Sequence, residues 1–146
     1  MYKAFRVLFF IFFTASINSC SDNGKEEEQK AYDEVMNVHN DAMPKMAELQ
    51  SLKRSLKAYK DIVPDEKFNQ KDSLINGILL LSKANDNMMN WMANWKYPHP
   101  EFAHEQEMKY LIAQKDSIKA VSDNIYMGIA VATGLLNNAP DSLKAK

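Results

Sequence analysis

From Tyr32 onward, apolar residues recur at spacings of three and four through most of the chain. That spacing traces one face of an α-helix, whereas a strand alternates its side chains every second residue. The first run is Tyr32, Val35, His39, Ala42, Met46, Leu49, Lys53 and Leu56, broadened by Met36, Val38, Met43 and Leu52. A face that wide touches two neighbours rather than one. The pattern predicts a helix from about Glu27 to Tyr59. Pro44 falls inside it, lacking a donor at a cost of roughly 3 kcal/mol. It lies away from the apolar face, so a kink is expected rather than a break.

Asp61 to Phe68, with Pro64, reads as a turn. A second helix is expected from about Asp72, a candidate N-cap, to Trp95. Its face is Leu74, Ile78, Leu81, Asn85, Met88, Met92 and Trp95, flanked by Ile75, Leu79 and Met89. Tyr97, Pro98, His99 and Pro100 form the next turn, because neither proline permits an uninterrupted helix. Pro100 suits the first position of a third helix, with Glu101 and Glu105 in its first turn. That helix carries His104, Met108, Leu111, Lys115, Ile118, Ser122, Ile125, Ile129, Ala132 and Leu136 to about Asn137. No strand-like alternation appears. The expected fold is all-α, an antiparallel up-down-up three-helix bundle with long coiled-coil-like helices. The bundle domain spans 30–138, and 139–146 forms a polar C-terminal tail.

The chain begins differently. Lys3 and Arg6 precede an apolar run from Val7 to Phe13, and Thr14 to Ser19 lead into Cys20. A charged front, a short apolar middle and small residues before a cleavage point make a secretory signal. Seven apolar residues are too few to cross a bilayer core, which needs about 20. Cys20 is the only cysteine, so no disulfide can form within the chain. Ile17, Asn18, Ser19 and Cys20 resemble a bacterial lipobox, in which the cysteine is acylated and becomes the first mature residue. Residues 1–19 are therefore expected to be a lipoprotein signal peptide. Acyl chains contribute about 0.8 kcal/mol per buried methylene, enough in combination to hold a domain at a membrane. Ser21 stands where an aspartate would signal inner-membrane retention, which points to the outer membrane. Residues 20–29 read as a lipidated cysteine and acidic tether. Within it, Lys25 and Glu26 to Glu28 fit either a short surface-export signal or an acidic helix start.

Charge narrows the partners. Losing Lys3 and Arg6 with the leader takes the formal net charge from −1 to −3, and beyond Gln29 acids and bases balance. A neutral domain lacks the basic footprint that nucleic-acid binding requires. Lys53, Arg54, Lys57 and Lys60 crowd the end of the first helix, where cations complement the helix dipole and could secondarily form a binding patch.

Antiparallel pairing gathers most of the methionines at the tether end, with Trp91, Trp95, Tyr97 and Phe102. His39, Met43, Met88, Met92, His104 and Met108 form the candidate ligand or partner-binding cluster there. Thioether and imidazole suit copper or haem iron, but methionine equally fills irregular cores and adaptable partner grooves. On this register His39 faces Met88 and Met108, while His104 lies about two turns away. Packing is therefore the leading reading. No cofactor is assigned, and the metal- or haem-binding bundle stays the alternative.

Catalytic signals are sparse. One Glu-x-x-His pair, Glu101 to His104, occurs where di-iron bundles use two such pairs plus two glutamates. There is no HExxH motif, glycine-rich phosphate loop or G-x-S-x-G elbow. The segments EVMNVHNDAMPKM (Glu34 to Met46) and ANDNMMNWM (Ala84 to Met92) resemble a group of small helical bacterial lipoproteins, some labelled viral A-type inclusion protein repeat. The likeness covers roughly Tyr32 to Leu111. It implies an anchored helical bundle and brings no catalytic residue or cofactor. The expectation is thus a non-enzymatic interaction or structural module, lipid-anchored at Cys20 to the outer membrane, periplasmic or surface-facing. Its partner would be an envelope protein or a second copy of itself.

Overall fold

A computed structural model describes residues 20–143; the expected signal peptide, 1–19, lies outside them. The described residues are helical, with no strand among them: α1 (Cys20–Ala42), α2 (Lys45–Ile62), α3 (Phe68–Asn94) and α4 (His104–Leu136), then a short 3₁₀ turn at Asp141–Leu143. The expected first helix is thus α1 and α2, bent at Pro44. Met43 N–H still reaches the His39 carbonyl at 2.9 Å, while Met46 N–H reaches only as far back as the Met43 carbonyl at 3.1 Å. Proline keeps a helical backbone (φ −59, ψ −26) but donates nothing, so the ladder lapses for a turn and resumes. The bend sets α1 against α4 and α2 against both α3 and α4.

Several helix ends differ from the sequence pattern. α1 begins at Cys20 rather than near Glu27, so the acidic segment is helical and not an extended spacer. α3 starts at Phe68, which puts Asp72 inside the helix instead of at its N-cap. Pro64 explains the preceding stop: Val63 is extended (φ −73, ψ 128), as a residue before proline prefers. α4 starts at His104, so Pro100 and Glu101 belong to the turn, and Glu105 and Glu107 supply the first-turn acids. Gln106 fastens this start by accepting from Ala103 N–H at 2.9 Å, one half of a capping box.

The core is the buried face of all four helices. Val35, Leu49, Leu56, Leu74, Leu81, Met88, Leu111, Ile118 and Ile125 are its largest fully buried side chains. Each contributes about 1.5–3 kcal/mol of hydrophobic transfer. Gly77 marks the tightest approach: a Cβ there would lie 2.7 Å from Leu135 Cδ1 and 3.1 Å from Leu56 Cδ1, so α2, α3 and α4 meet where an added side chain would have to push these leucine ends aside. Cross-helix polar contacts fix the register. Lys115 pairs with Glu34 at 2.7 Å, Gln50 donates to Asn85 at 2.7 Å, and Tyr126 donates to the Asp41 carbonyl at 3.4 Å. Tyr59 accepts from Gln70 at 2.8 Å and donates to the Asn138 carbonyl at 3.0 Å, tying the end of α2 to the start of α3 and the segment after α4.

Candidate functional site

Two regions carry side chains beyond the needs of a helical core. The first surrounds the connection from α3 to α4, beside the start of α1. Trp91 of α3 and Trp95, the residue that caps its C-terminus, stack at 5.1 Å between ring centroids. Tyr32 of α1 stacks on Tyr97 at 4.7 Å, and Tyr110 of α4 leans on Trp95 at 5.9 Å. Trp91 is buried, and its Nε1 has no hydrogen-bond partner among the described residues. Such a group forgoes about 1–3 kcal/mol, which the surrounding ring contacts offset.

His99 sits between the two prolines of the connection and is held on three sides. Its ring stacks on Phe102 at 4.3 Å and meets the Tyr110 edge at 4.4 Å. Its Nδ1 lies 3.0 and 3.2 Å from the two Glu107 carboxylate oxygens, and its backbone N–H donates to Oε2 at 3.0 Å. Both side chains are nearly closed to solvent, 12% and 5% exposed. A buried carboxylate needs such donors, and one glutamate satisfies two donors of the connection. The pair clamps the connection onto α4.

Outside this clamp is an open cleft of about 890 Å³ whose walls include Gly24, Glu27, Glu28, Pro98, Phe102 and His104. His104 Nδ1 lies 2.7 Å from Glu28 and Nε2 lies 3.4 Å from Glu27. The hydrogen bond to Glu28 leads in holding the His104 pKa above its usual value. Gly24 lets α1 approach: a Cβ there would sit 3.2 Å from the His104 ring. Burial, then the nearby Glu28 and Glu107 carboxylates, push the Tyr97 phenol up. The acids of Lys25 to Glu28 lie beyond the first turn of α1, so Glu27 and Glu28 act through His104 of α4 rather than through the dipole of their own helix.

The structure distributes the candidate cluster. His39 is half-buried, stacked on Trp91 at 5.5 Å, with Nδ1 3.1 Å from Asn40 Oδ1. His104 is occupied by Glu27 and Glu28 instead. Met88 is fully buried, Met43 and Met92 pack partly buried against the core, and Met108 is half-buried. Among the described residues, no group of three or more His, Cys, Asp or Glu could hold a metal ion, and no helix is long and apolar enough to cross a membrane.

The second region is the outer face between α2 and α3. Ile75 and Leu79, expected to flank the buried face of their helix, instead stand 42% and 60% exposed, and Phe68 is 70% exposed. A shallow groove of about 370 Å³ runs between Ile75, Ile78 and Leu79 of α3 and Lys57, Lys60 and Asp61 of α2. Lys53 stands one turn before Lys57. The earlier grouping of lysines at the end of this helix is what could have drawn attention to the groove. His99 and Glu107 left one sequence signal each: a histidine pinned between prolines, and an acid four residues before the buried Leu111.

No protein-family model, curated protein or solved structure matches this chain.

Proposed function

We propose that this chain is a lipid-anchored helical interaction module of the bacterial cell envelope, built as an up-down-up bundle. The lipobox-like Ile17 to Cys20, following a charged and then apolar start, carries the anchoring half of the reading. Signal peptidase removes residues 1–19, Cys20 is acylated, and the domain is held at the outer membrane. With α1 beginning at Cys20, the anchor joins directly to a helix. The interaction half is supported by the large apolar side chains that Phe68, Ile75 and Leu79 hold in solvent. The role is non-enzymatic, and the partner is an envelope protein.

Acylation is tested by expressing the full chain in a bacterial host fed labelled palmitate and separating membranes from soluble protein. Label on the protein and membrane fractionation, both lost in Cys20→Ala, is the expected result. An unlabelled product, or a Cys20→Ala form that still fractionates with membranes, contradicts it.

A further inference from the structure

We infer that the groove between α2 and α3 receives an acidic amphipathic helix of a partner protein. The inference rests on reading the chain as an interaction module and names the chemistry of its partner. Three observations define the occupant. First, Ile75 and Leu79 are one turn apart on α3 and line the groove with Ile78, while Phe68 lies two turns before Ile75 on the same face, outside the lining and with exposed Asp72 between them. Isolated exposed apolar residues are ordinary, but a stripe beside a concave cleft matches the anchor spacing of a helix laid into a groove. Second, the facing wall is basic. Lys57 lines the groove and Lys53 stands one turn before it on α2, outside the lining, and neither has an ion pair among the described residues. Lys60 is paired with Asp61, the acid of the groove wall. The chain as a whole is close to neutral, so this cationic edge is local. An apolar stripe beside free ammonium groups complements a helix with an apolar face and acidic flanks.

Third, the other occupants fit less well. A second copy would have to bring acids of its own, and two of the most concentrated ones, Glu27 and Glu28, are already engaged by His104. A bilayer would have to reach this shallow groove far from the proposed anchor. Lys57 also lies roughly 50 Å along the helices from Cys20 at 1.5 Å per residue, at the opposite end from the proposed anchor.

The test measures binding of the purified full chain to fluorescent helical peptides that share one leucine stripe and carry acidic, neutral or basic flanks. Acidic peptides should bind saturably at one per chain and weaken as salt rises. Leu79→Asp should weaken binding tenfold or more, as loss of a central anchor does. Lys57→Glu should weaken it about fivefold, the scale of one exposed charge pair. Both variants should keep the circular dichroism of the parent. No binding by any peptide, or equal binding of acidic and basic ones, overturns the inference. So does sedimentation showing self-association abolished by Leu79→Asp, or phosphatidylglycerol vesicles competing fully with the acidic peptide. The readout is independent of acylation, so its failure leaves the anchor standing, and absence of palmitate on Cys20 leaves the groove standing.

Discussion

The two ends of the bundle solve the same problem in opposite ways. Near the α3–α4 connection, rings stack on rings: Tyr32, Trp91, Trp95, Tyr97 and Tyr110 close the end, and Glu107 holds His99. At the far end, Leu56, Leu74 and the hydrogen-bonded Tyr59 fill the interior, and apolar side chains remain outside as Phe68, Ile75 and Leu79. The contrast separates residues that hold the fold from residues that the fold merely carries. Stacked rings and the hydrogen-bonded His99–Glu107 pair hold one another in place, and the one buried polar atom left over among the described residues is Trp91 Nε1. An exposed apolar face with cations beside it is unfinished.

Substitutions can break or sharpen that contrast. The largest effect belongs to the interior of α3. Leu81 is fully buried, and Leu81→Asp places an uncompensated charge there at a cost of several kcal/mol. Urea titration followed by circular dichroism should find this variant largely unfolded. Next comes the clamp. Glu107→Ala leaves the His99 backbone N–H and ring nitrogen without their acceptor in a buried site, which costs about 1–3 kcal/mol. The urea midpoint should fall without a change in slope.

Smaller still is the contact between α1 and α4. The folded pKa of His104 is raised, chiefly by its hydrogen bond to Glu28. A raised value means the folded state holds the proton more tightly. The stabilisation is therefore complete below the unfolded pKa near 6.5 and is lost as pH climbs through the folded value. His104→Ala should lower the melting temperature at about pH 5.5 and leave it almost unchanged at about pH 9. An equal effect at both pH values would mean that Glu27 and Glu28 do not sense the proton.

The helical faces were legible in the sequence because core burial enforces their period: Leu49, Leu56, Leu74, Leu81, Ile118 and Ile125 all lie inside. Helix ends were less so. Asp72 and Pro100 are good starting residues, yet α3 and α4 begin elsewhere, because tertiary packing and the Ala103–Gln106 contact outweigh a local preference. The bend at Pro44 was visible in kind but not in consequence, since only the folded chain reveals that α1 and α2 choose different neighbours. Apolar periodicity could not warn that Ile75 and Leu79 stay outside, because a stripe waiting for a partner looks the same as one that is buried. The clamp escaped because an acid among many acids reads as surface, and the spacing of Glu107 from Leu111 gains meaning only through its contact with His99.

The claim that the α2–α3 face is spare to folding is tested most directly by thermal unfolding of Leu79→Asp beside Leu81→Asp. These positions are two residues apart on one helix, so local helix propensity is matched. The account predicts a parent-like melting temperature for Leu79→Asp and loss of the cooperative transition for Leu81→Asp. A comparable destabilisation by both would show that Leu79 belongs to the core, and would contradict it.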